Sequence, residues 1–144
     1  MIGGDGGATA AGASANNVVV YNNTIVGIQS GTCNIRFPGS HTGDVAQNNI
    51  WYGLGPGVSY GCSANTCSHN VNITSGDPFV SLATGDFRLR GATSAGVSLA
   101  APYNVDMTGK VRGTDGVWDL GAYEYSASTV DAPGPPTGLT ATVQ

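Results

Sequence analysis

Three short units along the chain set asparagine beside β-branched residues in the same order. The first runs Val18-Val19-Val20-Tyr21-Asn22-Asn23-Thr24-Ile25-Val26-Gly27. The second is Asp44-Val45-Ala46-Gln47-Asn48-Asn49-Ile50-Trp51-Tyr52-Gly53, and the third, more degenerate, is Cys67-Ser68-His69-Asn70-Val71-Asn72-Ile73. Matching Ile25 to Ile50 sets a step of 25 residues, and matching Ile50 to Val71 a step of 21. Self-similar strands at a period of roughly 20–50 residues mark a solenoid, in which no single coil can bury its apolar face alone. Asn tolerates the left-handed backbone of a tight corner, so each Asn-rich step reads as a corner between two short strands. Stacked coils would line the amides into a ladder outside and the Val and Ile side chains into columns inside. The stretches Ile28 to His41 and Leu54 to Asn65, with turns at Phe37-Pro38-Gly39 and Gly55-Pro56-Gly57, are expected to protrude as loops. The competing reading is chance recurrence of Asn pairs on a generic β-sandwich.

Composition favours short strands and many turns. Of 144 residues 23 are Gly and only 10% are charged, too few for the solvated faces of a helical bundle. A hydrophobic content of 40% speaks against wholesale disorder. Net charge is −4, and the five basic residues, Arg36, Arg88, Arg90, Lys110 and Arg112, cannot build a phosphate-neutralising patch unless most converge. No nucleic-acid partner is expected. No apolar run nears the ~18 residues of a membrane span.

Cys62 and Cys67 bracket four residues and are expected to close a small disulfide loop. A metal site would need more Cys or His than His69 alone supplies, so no metal is assigned. Cys33 then reads either as a buried, reduced thiol acting as a small hydrophobe, the favoured reading, or as paired between chains.

The stretch from Asp77 to Tyr125 carries an ordered series. It reads Asp77-Pro78-Phe79-Val80, Gly85-Asp86-Phe87-Arg88-Leu89, Ser94-Ala95-Gly96-Val97, Asp106-Met107-Thr108-Gly109 with Arg112, and Asp119-Leu120-Gly121-Ala122-Tyr123-Glu124. This series resembles the closing segment of secreted bacterial right-handed parallel β-helix proteins of the pectate-lyase-like superfamily, over about a third of the chain. It departs from that pattern at Ala95-Gly96-Val97, where the family often has Ile-Asp-Ala-Gly. The resemblance implies an all-β, right-handed parallel β-helix of few coils, truncated on its N-terminal side, in an extracellular or cell-surface protein. The family includes polysaccharide lyases, glycoside hydrolases and surface proteins, and fold does not choose among them. Arg112 is expected to pair with Asp119 or Glu124, and Trp118, Tyr123 and Tyr125 to cover the open end of the stack.

Residues 1–16 read as a flexible Gly/Ala-rich lead without the basic and apolar regions of a signal peptide. Residues 17–126 read as the coils and their closing segment. Residues 127–144 read as a Pro-rich linker and a first strand resembling that of a fibronectin type III domain, as if the chain were cut from a longer protein.

Catalytic candidates are few. Glycoside hydrolysis needs two carboxylates, and a lyase needs a base and often a cation. Arg36, His41 and Asp44 form the one cluster with acid–base variety, with Asp44 expected to point outward and His69 able to align with them two coils later. Trp51, Tyr52 and Tyr60 are candidates for a sugar-stacking platform, although strand alternation puts at least one of Trp51 and Tyr52 in the core. The expectation is a non-catalytic β-helix module, structural or glycan-binding, with a polysaccharide lyase or glycoside hydrolase fragment as the alternative. No cofactor is called for, with Ca2+ allowed for in the lyase case. A polysaccharide and a second copy of the chain, docked on the exposed coil end around Val18 to Val26, are the expected partners.

Overall fold

The computed structural model describes residues 16–36 and 41–126. The expected lead at 1–16 therefore falls almost wholly outside the described residues, and the linker and fibronectin-like strand at 127–144 fall entirely outside them. Among the described residues there is no α-helix, and no helix is long and apolar enough to cross a membrane.

Six three-residue strands come in pairs: β1 (Val19–Tyr21) and β2 (Thr24–Val26), β3 (Val45–Gln47) and β4 (Ile50–Tyr52), β5 (Thr66–Ser68) and β6 (Val71–Ile73). Each pair is a bent strand broken by a two-residue corner. Strands β1, β3 and β5 form one parallel sheet, and β2, β4 and β6 a second. The chain thus passes three times over the same two faces. On the first two passes, residues 28–36 and 54–63 add a third side, with parallel pairing of Thr32 with Ser59 and Ile35 with Cys62. Cys33 N–H donates to Ser59 O at 2.9 Å and Ser63 N–H to Ile35 O at 3.0 Å. These segments were expected to protrude. Their Gly, Ser and Pro content reads as loop, yet the inward side chains Cys33, Ile35 and Val58 are buried and draw the backbone into the stack. The parallel, layered arrangement is compatible with a β-helix-like fold.

The corners explain the Asn pairs. Asn22, Asn48 and His69 have φ of 55°, 60° and 53°, in the left-handed region where Asn is the least strained non-Gly residue. The following residues, Asn23, Asn49 and Asn70, stack into a ladder. Asn23 donates from its backbone N–H (3.0 Å) and Nδ2 (2.9 Å) to Asn49 Oδ1, and Asn49 does the same to Asn70 Oδ1 at 3.1 and 2.8 Å. The register therefore pairs Ile25 with Trp51, 26 positions apart, and not Ile25 with Ile50. The amides, not the isoleucines, set the repeat.

A one-residue shift exchanges the faces of a strand. Ile25 and Trp51 point inward, into a cluster with Val20, Cys33, Ile35, Ala46 and Val58. Ile50 and Tyr52 point outward, yet Ile50 is fully buried. Its cover is the segment after the stack. Strand β7 (Phe79–Ser81), a single 3₁₀ turn (Leu82–Thr84) and β8 (Asp86–Leu89) form an antiparallel hairpin, and Phe79 meets Tyr52 edge-on at 5.3 Å. Further on, Gly121 N–H donates to Asn48 O at 2.8 Å and Ala122 N–H to Thr24 Oγ1 at 2.9 Å. Gly121 lies so close that a Cβ would fall 2.5 Å from Thr24 Oγ1 and 2.9 Å from Ile50 Cδ1, at a φ of +81°. The closing segment thus runs along the flank of the stack. Trp118 does not cover the open end as expected: it packs beside the first corner, its indole N–H 3.5 Å from Asn22 Oδ1. Fully burying side chains the size of Ile50 and Phe79 stabilises by roughly 1.5–3 kcal/mol each.

Candidate functional site

The candidate residues separate into three places. The first is the start of β3. Asp44 does not point outward, as expected from its place on the strand. It is fully buried, with Oδ1 accepting from Val18 N–H at 2.8 Å, while its own N–H donates to Asn65 Oδ1 at 2.9 Å. Asp44 is the middle rung of a second ladder, which Val18 and Asn65 complete above and below. His41 Nδ1 lies 2.9 Å from Asp44 Oδ2 and 3.3 Å from Asn65 Oδ1. Both neighbours are acceptors, which places a proton on Nδ1. His41 and Asp44 therefore do meet: one carboxylate oxygen is committed to the backbone and the other faces the imidazole. Arg36 is exposed at the edge of the described segment.

The second place is a cleft of about 280 Å³ at the β5–β6 end of the stack. It collects Trp51, Tyr60, Cys62, Cys67 and His69, all singled out from the sequence, together with Asn72. His69 sits at the corner after β5, the far end of that strand from His41 and Asp44, which do not line the cleft. Cys62 and Cys67 form a disulfide on its wall, five positions apart. Trp51 forms the floor. It is 2% exposed, and its indole N–H donates to Cys33 O at 2.9 Å, so it cannot offer its face to solvent. Tyr60 is 48% exposed and leans on Trp51 with ring centroids 6.0 Å apart. Tyr52 is on the outer face against Phe79, so Trp51, Tyr52 and Tyr60 do not make one platform. Burial pushes the Cys33 thiol above its ordinary value, in keeping with an inert core residue.

The third place is the closing segment, where the acids of the series turn inward. Asp106 Oδ1 accepts from Thr108 N–H (2.7 Å), Thr108 Oγ1 (2.6 Å) and Lys110 N–H (3.0 Å), and Oδ2 accepts from Glu124 N–H (3.0 Å). Asp119 Oδ1 accepts from Thr93 N–H at 2.6 Å and Oδ2 from Tyr125 N–H at 2.9 Å. Glu124 Oε1 and Oε2 accept from Gly113 and Asp119 N–H at 2.5 and 3.0 Å. Arg112 is buried among them. It pairs with Glu124, one of its two expected partners, at 3.6 Å from Oε2, and its closest bonds go to the carbonyls of Asp119 (3.0 Å) and Gly121 (2.9 Å). Burial lowers the Arg112 pKa, opposed by the charges of Glu124, Asp106 and Asp119. Burial likewise raises Glu124, more than its backbone donors lower it. Burial also pushes Asp106 upward, but the hydrogen bonds from Thr108, Glu124 and Lys110 outweigh it and hold the carboxyl below the usual range. On the surface, the Arg88 hydrogen bond takes Asp86 down to about 2.

No cluster of three or more His, Cys, Asp or Glu suited to a metal ion occurs among the described residues. Comparisons with family models, with curated proteins and with solved structures each found no match. Asn72 was not singled out as a site residue from the sequence. Its signal was its place in the third unit, where the first two units carry Ile25 and Trp51 in the same column.

Proposed function

We propose that this chain is the non-catalytic end of a right-handed β-helix of the pectate-lyase-like kind, from a secreted or cell-surface protein directed at polysaccharide. The observation that carries the reading is the commitment of the carboxylates. Asp106, Asp119 and Glu124 are buried with both carboxylate oxygens accepting from backbone N–H groups, and Asp44 is buried with one oxygen so used and the other against His41. A glycosidase or lyase requires such groups to face the sugar. The parallel layers and the amide ladder support the β-helix, and the Cys62–Cys67 disulfide suits an oxidising, extracellular compartment. The role assigned to the 77–125 segment is to lock the flank of the last layers and to bury Ile50 and Phe79.

The enzyme reading has one observation in its favour, the contact of His41 with Asp44. Incubation of the chain with a panel of acidic and neutral polysaccharides, followed by ultraviolet absorbance for unsaturated ends and by reducing-end release, separates the two. The module reading expects neither signal. Turnover that disappears in His41→Ala would overturn it.

A further inference from the structure

Both inward columns of the stack change character at the third layer. One column reads Val20, Ala46, Cys67, and the other Ile25, Trp51, Asn72. An apolar interior thus ends in a disulfide sulfur and a primary amide, and the cleft lies over them. Asn72 is half-buried, and among the described residues its amide has no hydrogen-bond partner, which leaves two donors and a carbonyl oxygen unspent. The His69 imidazole at the rim is exposed and equally uncommitted among the described residues. Tyr60 supplies an exposed aromatic ring beside them.

Among the described residues no Asp, Glu, Lys or Arg lines the cleft. Of the five cations, Arg36 is exposed and does not line the cleft, and the other four are engaged elsewhere. Arg88 is paired with Asp86, Arg90 bonds Val80 O and lies 3.8 Å from Asp77, Arg112 is buried, and Lys110 bonds Tyr125 O. An anionic sugar would meet no Lys or Arg there to offset its charge. A neutral one would place its C–H face on Tyr60 and its hydroxyls against a paired donor and acceptor. The volume sits at the lower bound of small-ligand pockets, roughly 300 Å³, which suits a ring or two and not a long stretch of polymer.

We infer that the β5–β6 end cleft binds a neutral saccharide unit, stacked on Tyr60 and hydrogen-bonded by Asn72 and His69, and that it rejects uronate. This rests on the carbohydrate-directed reading above and adds the location and the charge class of the ligand. The test is a two-dimensional ¹⁵N NMR titration of the full chain with cellotetraose, xylotetraose, mannotetraose and trigalacturonate, following the Trp51 indole and Asn72 amide signals. The expected result is saturable shifts of both with at least one neutral sugar and none with trigalacturonate. Tyr60→Ala and Asn72→Ala should each weaken binding about tenfold or more, Tyr60→Phe should keep most of it, and Met107→Ala, on a distant exposed site, should change nothing. Dispersed spectra of each variant establish that it is folded. Neutral-sugar binding untouched by Tyr60→Ala and Asn72→Ala would overturn the cleft and spare the carbohydrate-directed reading. Preference for trigalacturonate would overturn the charge class. Absence of binding to all four would overturn the inference and remove the glycan-binding part of the proposed function with it.

Discussion

The stacked layers and the closing segment solve the same problem by opposite means. In residues 16–73 the corner amides are satisfied by their equivalents one layer away, so a single residue type repeated at a corner serves every layer. In residues 77–125 nothing repeats. One arginine and three acids are buried together, and each carboxylate closes a different turn. The stack resembles a sum of nearest-neighbour interfaces, in which losing one rung leaves the others in place. The closing segment is a single network in which each member leaves a buried partner behind when removed.

That contrast predicts a ranking of effects. The largest belongs to Arg112→Met, which strands Glu124 and Asp119 without their cation. A loss of about 3–5 kcal/mol is expected in urea unfolding, as for breaking a buried pair from one side. A loss no greater than that of a surface substitution would mean that the charges are not mutually dependent. Next comes the middle rung against the end rung. Asn49→Ala leaves the Asn23 N–H without its acceptor and takes the Nδ2 donor from Asn70 Oδ1 and Val20 O, and should cost about 1–3 kcal/mol. Asn23→Ala, at the exposed end, should cost under about 1 kcal/mol. Equal losses at the two positions would contradict a nearest-neighbour ladder.

The smallest effect is the pH response of the network. Asp106 titrates below its unfolded value of about 3.9, so its contribution is present above that pH and is lost as the pH falls through the folded value. Glu124 is raised, so its share has the opposite sign: present below about 4.3 and lost as the pH rises through the folded value. Unfolding midpoints measured between acid and neutral pH should therefore show the wild-type advantage over Asp106→Asn vanishing in acid, and the difference from Glu124→Gln moving the other way. Parallel curves for all three proteins would show that neither shift is real.

The sequence made the layers legible because corner chemistry is local. Asn22 and Asn48 adopt the left-handed conformation that their residue type favours, and Asn23, Asn49 and Asn70 stack as the repeated pairs suggest. The phase was harder to read. Ile25 and Ile50 look equivalent because both are isoleucine, but one faces the interior and the other a flank that only the distant closing segment makes apolar. Asp44 was obscure for a related reason. It stands in the column of Asn65, and a carboxylate used as an amide-like rung has no mark in the sequence to separate it from a catalytic one. The closing series could be recognised as a pattern, but its burial depends on what it packs against. Nothing local to Arg112 shows that its guanidinium reaches two carbonyls.

The ladder also has a direction. In every rung from Asn23 to Asn70 the earlier layer donates and the later layer accepts, so the amide dipoles add along the axis of the stack as peptide dipoles add along a helix. Two copies brought together by a two-fold axis would present donor to donor or acceptor to acceptor. Any self-association that continues the ladder must therefore be head-to-tail, which has no built-in closure and grows into a filament unless an end refuses the next copy.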